Sequence, residues 1–356
     1  MESRRAPDPP ARDSPGGRAR VPDIARMAGV STATVDRVLH QRPGVRAGTM
    51  QRVLKAAAAL DYLPAAALQA GTRPRALRLV FLLPAGTNRF IRMLGDFIDF
   101  SEVALAPFNV KCRHVFIEGF NPALLAESLL RYGRNADGIA FMALEHPAVH
   151  EAVRKLERAG VRLVTLISDL SHAPRAAYVG LDNRSAGRTA GLLLGRLAGP
   201  AHGKVALIAG SRSYRAHEER EAGFLHLMEE MFPGFEVVGL REGHDDVETN
   251  YRQTRSLLKQ HGELVGIYNI GGASEGVARA LKEVGRSQQI VFIAHGLTPD
   301  TRAYLIDGTL DVVLTQSPAN VITNCVRIFD NLRANRAPLV GVEPVRMSIV
   351  LRENLP

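Results

Sequence analysis

Helical periodicity opens the chain, and a strand–helix alternation fills the rest of it. Between Val21 and Leu63 apolar residues recur at helical spacing: Ile24, Ala25 and Ala28 share one face, which Gly29 ends. Ser31 is placed to cap a second helix with Val35, Val38 and Leu39 turned inward. After the loop Gln41-Arg42-Pro43-Gly44 a third helix is predicted from about Ala47 to Leu60, with Met50, Val53, Leu54 and Ala57 inward. Three short helices, the first two joined by a tight glycine-containing turn, read as a helix-turn-helix. Residues 1–20 are Pro, Gly, Arg and Ser with little to bury and read as a disordered basic arm; residues 64–76 read as a hinge or linker.

Beyond Leu77 the period changes. Aliphatic or β-branched runs at Leu77–Leu83, Val110–Ile117, Gly138–Phe141, Val161–Ile167, Val205–Ala209, Phe235–Val238, Leu264–Tyr268, Ile290–Ala294 and Val312–Thr315 read as strands. Amphipathic stretches lie near 89–105, 122–133, 147–159, 184–198, 216–231, 248–261, 274–285, 298–307 and 318–334. This alternation predicts parallel sheets in doubly wound α/β layers. The 280 residues of 77–356 are too many for one such sheet, so two lobes with a cleft between them are expected. Ligands of such sheets sit at the carboxyl ends of the strands.

Charge sharpens the division. Of the formal net charge of +9, residues 1–75 carry +7 and the remaining 281 carry +2. A short basic module on a near-neutral body suggests a polyanionic partner, most often nucleic acid. The two cysteines, Cys112 and Cys325, form no CxxC or Cys/His ligand spacing and read as buried free thiols in a reducing compartment. No apolar run approaches the ~20 residues of a membrane span, and the N-terminus lacks the apolar core of a secretory signal. A cytoplasmic, nucleoid-associated protein is the expectation.

The string from Val21 to His40, D-I-A-x-x-A-G-V-S-x-A-T-V-x-R-V-L at its centre, carries the most information. It resembles the N-terminal headpiece of the LacI/GalR transcription regulators, and the likeness continues through Arg42-Pro-Gly-Val45, Val53-Leu54 and Leu60-Asp-Tyr-Leu-Pro64. The resemblance implies that Ser31, Thr34, Arg37 and Tyr62 touch DNA, with Thr32 and Ala33 in the base-reading positions of a helix laid in the major groove. Three residues depart from the family pattern. Asp36 replaces a Ser, to accept from a cytosine amino group or to orient Arg37; His40 stands where Asn is common; Arg20 stands where Thr usually caps the first helix. In the hinge, Gly71 falls where the family inserts a Leu into the minor groove, which leaves Leu68 as the candidate wedge.

Residues 77–350 resemble the effector domain of the same family and the periplasmic sugar-binding proteins. The strings that carry the likeness are Asn88-Arg-Phe90, Ser168-Asp169, Tyr178-Val-Gly-Leu-Asp-Asn-x-x-Ala-Gly187, Ile208-Ala-Gly-Ser211, Glu219-Arg220-x-x-Gly-Phe224, Ile267-Tyr-Asn269, Ile293-Ala-His295 and Thr315-Gln316. The implied fold is an all-α helix-turn-helix headpiece followed by α/β, two doubly wound parallel-sheet lobes of periplasmic-binding-protein type I architecture. Polar groups at strand ends and one flat ring suit a polyhydroxyl ligand. By position Asn88, Asp169, Arg220, Asn269 and Gln316 are expected to hydrogen-bond it and Phe90 to stack on it. His295 stands where sugar binders often place Asp, which exchanges a fixed acceptor for a switchable donor and acceptor.

Enzyme motifs are wanting. Gly199-Pro-Ala-His-Gly-Lys204 has three residues between its glycines and Val205 where Ser or Thr must hold magnesium, so it is no phosphate loop. The chain contains no HExxH and no strand-to-helix GxGxxG. His244-Asp245-Asp246 reads as a solvated or ligand-lining loop and not as a metal site. The expectation is a non-enzymatic, ligand-responsive regulator without cofactor, most simply a repressor of carbohydrate or polyol genes. Its partners would be a pseudo-palindromic double-stranded DNA operator, a sugar or polyol effector and a second copy of itself. The rival readings are the sugar-binding module of a transport system and a cytosolic enzyme on the same α/β fold.

Overall fold

The computed structural model describes residues 19–40, 42, 44–60, 62, 75–199 and 202–356. The arm expected before residue 19, most of the hinge and the candidate wedge Leu68 lie outside them. The chain divides after Arg75 into two units.

The first unit holds α1 (Val21–Ala28), α2 (Thr32–Leu39) and α3 (Ala47–Ala59). Gly29 closes α1 with φ +65°, and Val30 N donates back to Ala25 O at 3.0 Å, the pattern that satisfies a helix's last carbonyls. Ser31 Oγ then accepts from Thr34 N at 3.2 Å and starts α2 two residues later. Arg20 gives α1 no side-chain cap, but Asp23 compensates: its Oδ2 accepts from Arg20 N at 2.9 Å, and Pro22 in the first turn needs no acceptor. Ile24, Val35, Val38, Val53 and Leu54 form the core, with four alanines letting the helices approach closely.

The second unit holds two lobes. In the first, β1 (Leu77–Ala85), β2 (Val110–Glu118), β3 (Gly138–Phe141), β4 (Arg162–Leu166) and β5 (Ala177–Val179) form a parallel sheet in the order β2-β1-β3-β4-β5. Helices α4 (Arg89–Phe100), α5 (Pro122–Gly133) and α6 (Pro147–Arg158) cover it. Leu79 to Leu83 are buried without alternation, as a central parallel strand covered on both faces requires. The second lobe holds β6 (Gly203–Ala209), β7 (Phe235–Glu242), β8 (Leu264–Asn269), β9 (Val291–His295), β10 (Val312–Thr315) and β11 (Ser348–Val350) in the order β11-β10-β9-β8-β6-β7, with only β11 antiparallel. Its helices are α7 (Asn183–Leu197), α8 (Arg215–Met231), α9 (Val247–Gln260), α10 (Ser274–Glu283) and α11 (Pro299–Ile306). The last long helix, α12 (Pro318–Arg333), returns to the first lobe and buries Val321, Ile322, Cys325 and Phe329 there. The chain therefore crosses between lobes after β5, after β10 and after α12, a layout suited to hinge motion.

The strands β5 and β11, three residues each, were not anticipated; each is too short to show a period. Cys112 is half-buried and Cys325 buried, and burial pushes both thiols above their ordinary range. Among the described residues no helix is long and apolar enough to cross a membrane.

Helices α7 and α8 touch backbone to backbone. A Cβ on Gly187 would lie 2.0 Å from Arg220 O, and one on Gly223 would lie 2.1 Å from Arg184 O. Gly262, by contrast, has nothing within 4 Å of where a Cβ would stand, and its backbone is not left-handed. Gly187→Ala is therefore expected to lower stability by about 1–3 kcal/mol or more through forced separation of the helices, while Gly262→Ala leaves it within about 0.5 kcal/mol. Urea unfolding of both variants beside the parent checks the pair.

Candidate functional site

Helix α2 is the candidate nucleic-acid interface. Ser31, Thr32, Ala33, Arg37 and His40 are exposed, and Thr34 and Asp36 are half-buried. Thr34 Oγ1 lies 2.9 Å from Ser31 Oγ, so the two hydroxyls at the helix N-terminus steady one another where phosphate contacts form best. Tyr62 is 40% exposed, with its N donating to Ala57 O at 2.9 Å. Asp36 does not orient Arg37. Its two carboxylate oxygens instead lie 3.3 Å from His40 Nε2 and 3.2 Å from Arg42 Nη1, and Arg37 is left without an acidic partner among the described residues.

In the second unit the strand ends of both lobes converge on one cavity. About 40 Å³ of it is open to the centre of a water-sized molecule, room for roughly three or four waters. Asn88, Phe90, Arg220, His295 and Gln316 line it. Asn88 caps α4 through Oδ1, which accepts from Ile91 N at 3.4 Å, and its Nδ2 donates across the lobes to Asp245 Oδ2 at 2.9 Å. Phe90 is buried against Gly296, where a Cβ would meet the Phe90 Cβ at 3.1 Å. Arg220 is buried in α8; its Nε donates to Asn183 Oδ1 at 2.9 Å and its Nη1 to Ile270 O at 2.8 Å. His295 ends β9 with Nε2 2.7 Å from Tyr268 OH. Gln316 is buried, and its Oε1 has no partner among the described residues.

Asp169 and Asn269 do not reach the wall. Asp169 turns into its own lobe, accepting from Thr165 Oγ1 at 2.5 Å and from Arg175 Nη2. The end of β4 delivers Ile167 instead, held at φ +62° in a turn closed by Ser168 N on Leu166 O at 2.6 Å. A β-branched residue in the left-handed region is strained, and here the strain aims its side chain at the cavity. Asn269 is fully buried and shapes the wall indirectly: its Nδ2 donates to Gly272 O at 2.9 Å and Ser274 Oγ at 3.0 Å, fixing the Gly271–Gly272 loop that lines the cavity.

His217 lines the cavity and was missed in the sequence. The one signal for it was its place three residues before Arg220, on the same face of α8. Burial drives its imidazole down to about 4; Arg220 adds to the effect and Asp245 opposes it. His295 is driven well below its ordinary range by burial, then by Arg220 and His217. Burial also lowers Arg220. Among the described residues no acidic side chain lines the cavity.

A few hydrogen bonds clasp the lobes around this space. Glu145 N donates to Ser213 O at 2.9 Å, Ala216 N to Ser168 Oγ at 3.3 Å, and Arg215 Nη1 to Ser171 Oγ at 3.1 Å. His244 and Asp245 both adopt positive φ, which brings the Asp245 carbonyl to Thr87 Oγ1 and the His244 ring to within 5.3 Å of Phe120. Asp246 caps α9, accepting from Thr249 N at 2.8 Å. This loop joins the lobes.

Residues 124–336 match the family model of the periplasmic binding protein domain, and residues 21–65 that of bacterial regulatory proteins of the lacI family. The chain belongs to the periplasmic-binding-protein domain family, joined here to a lacI-family helix-turn-helix domain. Its fold is shared by GanP, a glucose-galactose binding protein from Geobacillus stearothermophilus, at 22% identity and TM-score 0.71 over 80% of this chain and 100% of that one. An ABC-transporter solute binding protein from Burkholderia graminis C4D1M, solved with D-arabinose, is 22% identical with TM-score 0.71 over 79% of this chain and 97% of that one. Curated relatives include an HTH-type transcriptional regulator from the aml 5' region of Streptomyces limosus, 30% identical over 69% of this chain and 66% of that protein. The regulator MalR of Streptomyces coelicolor is 28% identical over 59% of each chain, and catabolite control protein A of Streptococcus mutans 26% over 53% and 54%. The chain thus spans about half to two thirds of the length of these relatives.

The two buried imidazoles set a pH dependence. Their protonation is disfavoured in the folded state, so the unfolded chain binds more protons between the ordinary histidine value and the depressed one. Stability is full above pH ~6.5 and is lost as pH falls from there toward 4, by up to about 1.4 kcal/mol per pH unit for each imidazole. Asp245 and Glu242 near His217 narrow that pH window, and Arg220 widens it. Melting temperatures across pH 7 to 5 are expected to fall less for His217→Asn than for the parent.

Proposed function

We propose that the protein is a ligand-responsive, sequence-specific DNA-binding transcriptional regulator, a repressor acting as a homodimer in the cytoplasm, whose effector sits between the two lobes. The observation that carries this is the pairing, in one chain, of a capped helix with Ser31, Thr32, Ala33 and Arg37 exposed and a cavity at the strand ends of two hinged lobes. The regulators named among its relatives support the DNA-binding half. The sugar-binding proteins that share its fold support a small polyhydroxyl effector of carbohydrate or polyol type. The reading is non-enzymatic: the cavity binds, and a change in lobe closure is its output.

A single three-helix headpiece reads few base pairs, so two copies must be held one or more helical turns apart on a pseudo-palindrome. The first lobe offers a face for this. The edge strand β2 carries Phe116 partly exposed, and Phe100 and Val103, in the same lobe, are 87% and 88% exposed. Ser31, Thr34 and Tyr62 serve phosphates, Thr32 and Ala33 base edges, and Arg37 both.

A band-shift titration against duplexes selected from a random pool tests this reading. Binding is expected to weaken on the order of a thousandfold from ~50 to ~200 mM salt, as counterion release requires. Arg37→Ala should lower the ratio of specific to non-specific affinity by roughly ten- to a hundredfold, with the melting of residues 76–356 unchanged. No selected duplex, or a flat salt profile, refutes the reading.

A further inference from the structure

Among the described residues the cavity wall carries a positive charge and no negative one. Arg220 is buried there, yet its hydrogen bonds go to neutral oxygens, Asn183 Oδ1 and Ile270 O. The acids near it act on it only at a distance. Asp245 accepts from Asn88 Nδ2 at 2.9 Å and Gly272 N at 2.7 Å, and Glu219 from Arg215 Nε at 2.7 Å. His217 and His295 share the wall and are held neutral beside the guanidinium. A guanidinium taken out of water with no acid bonded to it is unfavourable, and it is stabilised when the ligand brings one into contact.

Gln316 adds a second requirement. Its Oε1 is enclosed and unpaired among the described residues, and a hydroxyl from the ligand would satisfy the amide in either of its two orientations. Asn88 and Thr315 are also on the wall, and Phe90, Met142, Ile167, Leu181 and Leu314 make up its apolar part. The space suits a molecule the size of a few waters.

We propose that the effector is a compact hydroxy-acid anion, its carboxylate on the Arg220 guanidinium, a hydroxyl on Gln316 and its carbon skeleton against Phe90 and Ile167. This rests on the cleft being the effector site, and it replaces a neutral sugar with an acid as the ligand class. A carboxylate fits better than a phosphate: among the described residues Arg220 is the only fixed cation on the wall and two of its nitrogens are already engaged, so a dianion would be left undercompensated.

Matched acids and neutral compounds test it, using thermal shift and calorimetry on the full chain: glycerate with glycerol, threonate with threitol, gluconate with glucitol, glucuronate with glucose. At least one acid should raise the melting temperature and bind at least tenfold more tightly than its neutral partner. Arg220→Gln should erase that preference. His295→Asp, which sets a carboxylate near Arg220 and decides the matter if Arg220→Gln fails to fold, should weaken the acid at least tenfold. A neutral partner that binds as tightly as its acid, or a panel in which no acid binds, overturns the proposal. Band shifts run in parallel separate the two readings. Failure to bind any DNA refutes the regulator while an acid preference still upholds the ligand class, and a neutral compound that releases DNA upholds the regulator and refutes the acid.

Discussion

The backbone contact between α7 and α8 fixes the buried cation on which the cleft depends. With no side chain at Gly187 to hold the helices apart, the carbonyl of Arg220 sits where a methyl would otherwise be. Asn183 lies one turn before Gly187 on the same face of α7, so the packing that seats α8 also brings Asn183 Oδ1 to Arg220 Nε at 2.9 Å. The other end of the guanidinium is held by Ile270 O, at the end of the neighbouring β8. Position and orientation of the charge thus follow from helix packing and one carbonyl, with no acid required.

That absence governs how the lobes meet. The contacts across the cleft are few and mostly neutral hydrogen bonds, each with a net contribution of about 1 kcal/mol. The ion pair of Arg89 with Asp300, at 2.8 Å and half-exposed, adds little more. Enclosing Arg220 between them works in the opposite direction, because closure removes its water. A hundredfold coupling between ligand and DNA needs about 2.7 kcal/mol, which is of the order of these few contacts. A ligand that relieves the desolvation of one charge therefore has enough leverage to tip the lobes.

Much of this was legible in the sequence, for reasons tied to particular residues. The headpiece was readable because Gly29 and Ser31 punctuate a strict helical period. Phe90, Arg220, His295 and Gln316 were readable because doubly wound sheets place strand-end and helix-start residues at the cleft. Asp169 was not, because a left-handed turn at Ile167 swings the chain and the carboxylate meets Arg175, whose position six residues on no period reveals. Asn269 was misplaced by two glycines that fold back over it. His217 escaped because its facing depends on how deeply α8 beds against α7, a tertiary fact. The partners of Asp36 likewise depend on where the loop after α2 returns Arg42.

Asp36 shows how an acid fits on a helix directed at phosphates. Left alone there, a carboxylate would repel the backbone of a nucleic acid and cancel part of the attraction of the arginines around it. Its ion pairs with Arg42 and His40 are exposed and contribute little to the fold. Their effect is local: the negative charge is masked in the free protein, and Arg37, one residue on, carries no acidic partner among the described residues that must be given up on binding. The same pairing leaves the carboxylate easy to release, since exposed ion pairs exchange readily with water.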